Sequence, residues 1–220
     1  MKDSFGQRVL LSVLTIIIPI LLVLGTVRVM LTPVFIQTEY KLPNFPADKY
    51  GFSLEERLYW SEISRTYLVS NVPRDYLSGF KLKDGSPLYN ERELRHMEDV
   101  KVVIGISQRV LNINLGVFIL ITIWAYRYGA WDGFLVAMSR GGWLTVGLLT
   151  AMILAIFLNF DAFFVAFHRV FFEGETWIFK YSDTLIRLFP IRFWQDAFIL
   201  VGGLTLGVGA ALGYFFGRRS

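Results

Sequence analysis

His96 and His168 are the only two histidines in this chain of 220 residues, and the chain contains no cysteine. A neutral imidazole takes up a proton and returns it near neutral pH, so a pair of them suits general acid–base chemistry. No HExxH, GxSxG or Gly-rich phosphate loop accompanies them. Two histidines and scattered carboxylates lack a recognisable metal-ligand spacing, so neither a metal nor a cofactor is expected. Ser139, in MSRGG, falls on the opposite side of the membrane from both histidines in the topology given below. A Ser–His hydrolase is therefore disfavoured, and the attacking group must come from the substrate or from water.

His96 lies in NERELRHMEDVK, residues 90–101, where seven of twelve positions are charged. Asn90 can act as an N-cap, and Glu93 stands where a capping box closes. Glu91 with Arg95, and Arg95 with Asp99, are opposite charges at i,i+4. Most of the charge is thus explained as a solvated, salt-bridged first turn of a helix. Asp99, three residues after His96, either orients the imidazole or simply pairs with Arg95.

The elements that hold these residues are set by four uncharged runs, 9–27, 110–126, 141–160 and 197–217. Crossing ~30 Å of hydrocarbon takes about 20 residues of helix, so each run is long enough, the second only just. With 54% hydrophobic residues and 20 phenylalanines, the chain is too apolar for an ordinary soluble domain. The first run exceeds the ~7–15 residue core of a signal peptide and no small-x-small cleavage pattern follows it, so a retained helix is expected, kinked at Pro19.

The expected fold is therefore an all-α polytopic membrane protein. Its transmembrane helices span 1–31, 102–126, 143–165 and 193–220, the last including a cytoplasmic tail, with a cytoplasmic loop at 127–142. Residues 32–101 and 166–192 form an extracytoplasmic cap. Orientation follows from Lys2, Arg8, Arg127, Arg140, Arg218 and Arg219, six basic residues against Asp3 and Asp132 on one side. The positive-inside rule makes that side cytoplasmic and puts both termini there. Residues 32–101 balance ten basic against eleven acidic side chains. The net charge of +4 is thus topogenic and does not point to nucleic acid.

Within the cap, LTPVFIQTEYKLPNFP is expected to be extended, because prolines 33, 43 and 46 disfavour a helix. Ser53 and Glu56 form a capping box for a helix that carries Tyr59, Trp60, Ile63 and Tyr67 on one face and Leu54, Leu58 and Leu68 on the other. FKLKDGSPLYN reads as a β-hairpin about a type I′ Asp84-Gly85 turn, making the cap a mixture of helices and a hairpin. Ser182 or Asp183 can cap a short interfacial helix that Pro190 stops.

This topology brings both histidines to the outer membrane surface. Arg28, Arg109, Asp161 and Asp196, one from near the outer end of each span, fall at a similar level. Ionisable groups at membrane depth face the protein interior or a polar cavity. Four at one level, one from every helix, imply a polar pocket beneath the cap.

LYNERELRHMEDVK before the second span, FHRVFFEG.TW.F after the third and SDTLIRLFP..FWQDA before the fourth together resemble the bacterial lipoprotein intramolecular transacylase family. The resemblance covers most of the chain and implies an acyltransferase in the bacterial cell membrane, with the cap and active site on the outer face. It further implies as partners a diacylated lipoprotein and membrane lipid, with the sn-2 acyl chain moving from glycerol to the substrate's own N-terminal α-amine. The family's catalytic pair falls on His96 and His168.

That chemistry suits the residues. The substrate's α-amine, with a pKa of ~8, must lose a proton to attack, and a neutral imidazole can take it. Attack closes an eight-membered cyclic tetrahedral intermediate, so folding the substrate into near-attack geometry carries much of the catalysis. Trp60, Tyr89, Phe167, Phe171, Phe172 and Trp177 are candidate walls that exclude water. Arg92, Arg95 and Tyr89 are candidate oxyanion donors, with no ranking among them. Two other readings predict different outcomes. A non-catalytic scaffold whose cap binds a partner protein does not need the histidines, and a lipid hydrolase releases fatty acid.

Overall fold

The computed structural model describes residues 4–218. Lys2, Asp3 and Arg219, which entered the charge argument, lie outside the described residues. The described chain forms helices α1 (Phe5–Met30), α2 (Pro33–Glu39), α3 (Leu54–Val69), α4 (Glu91–Arg127), α5 (Trp131–Leu158), α6 (Phe160–Phe171), α7 (Thr184–Leu188) and α8 (Ile191–Gly217), with a 3₁₀ turn at Arg74–Gly79. Four of them, α1, α4, α5 and α8, are long and apolar enough to cross a membrane.

The chain divides into two compact units. The first comprises Met1–Arg28, Ser107–Leu158 and Ile199–Ser220, and the second Val29–Ile106 and Asn159–Phe198. In the first unit Leu14, Ile17 and Ile18 of α1 pack with Ile121 and Ala125 of α4 and with Phe134, Leu135 and Met138 of α5. Lipid is as apolar as leucine, so close backbone approach and internal hydrogen bonds hold such helices together. Gly142 shows this most sharply: a Cβ there would stand 2.5 Å from the Gly209 carbonyl oxygen and 2.6 Å from the Gly213 nitrogen. Ser139 Oγ donates to the Gly213 carbonyl at 2.8 Å, tying α5 to α8. Thr205 Oγ1 donates to Thr26 Oγ1 at 3.1 Å, tying α8 to α1.

In the second unit, α3 starts with the expected box: Glu56 N–H donates to Ser53 Oγ at 3.1 Å and Ser53 N–H to Glu56 Oε2 at 2.8 Å. Its most buried positions, however, are Arg57, Ser61, Ser64 and Tyr67. The two serines admit tyrosine hydroxyls from neighbouring segments. Ser64 gives its proton to the Trp60 carbonyl and accepts from Tyr89 at 2.6 Å. Ser61 meets Tyr40, whose hydroxyl in turn donates to the Leu188 carbonyl just before Pro190. The apolar core joins Tyr67, Leu77, Leu88, Tyr89, Met97, Leu185 and Leu188, and a smaller cluster holds Ile36, Tyr40 and Phe193.

Two local expectations are corrected. The stretch after Thr32 is helical over Pro33–Glu39 because Pro33 opens the helix, where its missing N–H costs nothing. There is no β-hairpin, and among the described residues no strand at all. The chain does reverse at Asp84-Gly85, but only Lys81 and Pro87 form a bridge. Pro87 has no N–H to extend a ladder. Gly85 N–H donates to the Leu82 carbonyl at 3.0 Å and Gly85 takes φ +84°, while Asp84 is not among the positive-φ residues. That is a type I turn followed by a left-handed glycine and not the type I′ pair, which needs positive φ at both central positions.

Candidate active site

The first turn of α4 is built by Asn90. Its Oδ1 accepts from the N–H groups of Arg92 at 3.0 Å and Glu93 at 3.1 Å, and Glu93 Oε2 accepts from Asn90 N–H at 2.8 Å. Glu93 does more than close this box. Its Oε1 accepts from Leu185 N–H at 2.7 Å, so one carboxylate serves the N-terminal turns of both α4 and α7. It is 2% exposed, and burial raises its pKa against the pull of the two backbone N–H groups. Capping-box spacing made Glu93 legible as a cap. Nothing local marked the second bond, which spans 92 residues.

His96 follows Glu93 by three residues, on the same face of the charged turns that precede the apolar run of α4. His168 sits in the last turn of α6, a helix capped where Asn159 Oδ1 accepts from Ala162 N–H at 2.9 Å. The two imidazole centroids are 6.2 Å apart with planes 21° from parallel. That is about twice the ~3 Å hydrogen-bond reach, so one reacting group can approach a nitrogen of each ring.

Aromatic side chains surround the pair. Phe172 lies 4.9 Å from His96 and 5.6 Å from His168, and Phe179 meets His96 edge-on at 5.3 Å. Phe164, Trp177 and Phe167 stand 4.1, 4.9 and 5.7 Å from His168. Of the expected walls, Phe167, Phe172 and Trp177 touch a histidine, and Phe171 packs against Phe167 at 4.8 Å with the rings tilted by 50°. Trp60 packs on Tyr59 and Phe80. Phe164 and Phe179 were not anticipated. Phe164 had a signal, since it precedes His168 by one helical turn. Phe179 had none.

Electrostatics keep both rings neutral. His96 is 7% exposed, and burial, followed by the neighbouring His168, pushes its pKa down to about 4. Its Nδ1 is buried and has no hydrogen-bond partner among the described residues. Burial also lowers the pKa of His168, opposed by a 2.8 Å contact between Nδ1 and the Phe164 carbonyl oxygen. A carbonyl only accepts, so Nδ1 carries the proton and Nε2 keeps its lone pair.

The remaining candidates are placed as follows. Tyr89 is buried and its hydroxyl proton goes to Ser64, with burial raising its pKa above the ordinary phenol range. Arg92 Nη1 donates to the Ile178 carbonyl at 3.0 Å, anchoring the segment that carries Phe179. Arg95 is exposed and Asp99 half-buried, and among the described residues neither expected i,i+4 pair with Arg95 closes. Such exposed pairs gain little over solvation, and Glu98 pairs instead with Arg74.

Arg28 and Arg109 belong to the first unit and have exposed side chains; Asp161, exposed, and Asp196 belong to the second. Asp196 pairs with Arg192 and lies against Glu39, which is 3% exposed. Burial first, then the hydrogen bond to Asp196, raises the Glu39 pKa to about 7. Among the described residues no group of three or more His, Asp or Glu side chains is placed to hold a metal ion.

Comparison with known proteins agrees with this architecture. A relative from Aquifex aeolicus (strain VF5), described only as an uncharacterized protein, is 34% identical over 213 residues, covering 92% of this chain and 91% of its own. The membrane-integral lipoprotein intramolecular transacylase Lit of Bacillus cereus, solved in meso, superposes with a TM-score of 0.74 at 22% identity, over 96% of this chain and 94% of that one. Two further structures of that protein, with one histidine replaced by arginine or by alanine, superpose with TM-scores of 0.65 at 18% identity. They cover 96% and 97% of this chain, and 92% and 96% of those chains. The family model "Lipoprotein intramolecular transacylase Lit" matches residues 10–194. The chain therefore belongs to the lipoprotein intramolecular transacylase Lit family and is a membrane-integral acyltransferase.

Proposed function

We propose that this protein moves the sn-2 acyl chain of a diacylglyceryl-cysteine lipoprotein to that lipoprotein's own N-terminal α-amine, with His96 and His168 handling the proton. The observation that carries the reading is the approach of the chain's two histidines, 72 residues apart in sequence, to 6.2 Å inside an aromatic enclosure.

His168 is the better base, because its Nδ1–H is committed to the Phe164 carbonyl and Nε2 is left to accept. Nε2 takes a proton from the substrate amine as its nitrogen attacks the ester carbonyl. The N–C bond forms and a cyclic tetrahedral intermediate results. Collapse breaks the C–O bond to glycerol, and the imidazolium returns the proton to the departing oxygen. One proton thus passes from nitrogen to oxygen and the enzyme is restored. His96, neutral and 7% exposed, faces the same reacting centre with an unpartnered Nδ1. The phenylalanine and tryptophan rings favour the folded substrate and keep out the water that would hydrolyse the ester.

The site works on the outer face of a bacterial cell membrane, with both termini in the cytoplasm. This orientation rests on the arginine distribution.

The test is mass spectrometry of a diacylated lipopeptide after incubation with the purified protein. His168→Ala and His96→Ala are expected to fold and to lose acyl migration by roughly 10²–10⁴-fold. Undiminished amide formation by both variants rules the histidine chemistry out. Release of free fatty acid in place of amide identifies a hydrolase.

A further inference from the structure

We propose that the first unit carries a second site, unconnected with acyl transfer, that binds the phosphate headgroup of an anionic phospholipid through Arg8, Ser12 and Arg140. A cavity of about 340 Å³ opens between α1 and α5, with Arg8, Ser12 and Thr15 on one wall and Gly133, Ala137 and Arg140 on the other. Leu11, whose side chain fills the space beside Gly133, and Val136 complete the lining, so Arg8 and Arg140 share one cavity. Thr15 spends its hydroxyl proton on the Leu11 or Ala137 carbonyl. Ser12 has no such partner among the described residues and is left to donate.

The charge in this unit is unbalanced. Its described residues include six arginines (Arg8, Arg28, Arg109, Arg127, Arg140 and Arg218) against one carboxylate, Asp132. Among the described residues neither Arg8 nor Arg140 forms an ion pair. Paired guanidinium forks match the oxygens of a phosphate, and basic pockets between membrane helices commonly hold anionic headgroups.

The apolar surroundings select a lipid over free phosphate. A groove of about 550 Å³ shares Arg8 and Ser12 with the cavity and continues along α1 past Phe5, Val9, Val13 and Ile16. These residues recur every three or four positions, so they form a single stripe, and Phe5, Val9 and Ile16 are 77%, 44% and 60% exposed. A headgroup between the two arginines would lay an acyl chain on that stripe, satisfying charge and apolar surface together.

Native mass spectrometry of the full-length protein released from detergent tests this, with phosphatidylglycerol, phosphatidylcholine of the same acyl chains, or inorganic phosphate added. Phosphatidylglycerol should be retained and phosphatidylcholine lost. The Arg8→Gln/Arg140→Gln variant should weaken phosphatidylglycerol retention about tenfold or more. Arg8→Lys/Arg140→Lys, which keeps the charge, should recover part of it and guards against misfolding. Arg127→Gln/Arg218→Gln, which neutralises arginines outside the cavity, should leave retention unchanged. An equal loss in that control, equal retention of both lipids, or displacement of the lipid by equimolar phosphate each overturns the proposal.

Discussion

At His168, one backbone contact decides the chemistry open to the ring: with Nδ1–H given to the Phe164 carbonyl, only Nε2 can take a proton. Both imidazoles have pKa values displaced downward by burial, His96 to about 4. In ¹⁵N-histidine NMR of the detergent-solubilised protein, two neutral rings are therefore expected at pH 7, His168 as the Nδ1–H tautomer. A titration midpoint at or above 6.5 for either ring contradicts this placement. The same shift has a sign for stability. The folded state resists protonation that the unfolded chain accepts, so the His96 contribution is intact above pH 6.5 and is lost as pH falls through about 4. The pair was legible in the sequence because a chain with two histidines offers no alternatives. The rings around it were legible only in part. Phe164 follows from helical spacing, whereas Phe179 reaches His96 through a loop with no periodicity to read.

Among the elements, the first turn of α4 does the most work per residue. Asn90, Arg92 and Glu93 all bond the segment between α6 and α8 or the start of α7, through Asp183, Ile178 and Leu185. Glu93→Ala strands two N–H groups, Asn90 and Leu185, at about 1–3 kcal/mol for each that stays buried. Thermal unfolding in detergent should show a larger loss than Ser53→Ala, which removes one cap of α3 at about 1 kcal/mol. Equal shifts would mean that the Leu185 bond contributes nothing. The capping signals at Ser53, Glu56, Asn90 and Glu93 were readable because a cap involves residues three apart. The proline-rich stretch misled, since a proline forbids a helix interior but suits a first turn. At Asp84-Gly85 the turn dipeptide specifies only a reversal, because flanking N–H groups are needed to extend it into a ladder and Pro87 has none.

For the molecule as a whole, the arginine bias predicts sidedness, and the absence of cysteine makes it simple to measure. Single cysteines at exposed Lys83 and Tyr128 should react with an impermeant thiol reagent from opposite sides of the membrane, Lys83→Cys from outside and Tyr128→Cys only after permeabilisation. The reverse pattern inverts the proposed orientation and moves the histidines to the cytoplasmic side. The sequence by itself determined the four long helices, because hydrocarbon admits a backbone only when it is internally hydrogen-bonded and clothed in about 20 apolar residues. It also singled out the chain's two imidazoles, His96 and His168, as the candidates for carrying protons. Tertiary structure alone decided that these two meet. Contacts such as Glu93 to Leu185 and Tyr40 to Leu188, 92 and 148 residues apart, hold the surrounding segments together. Bonds of that range follow from how separate segments pack, and no local pattern of residues encodes them.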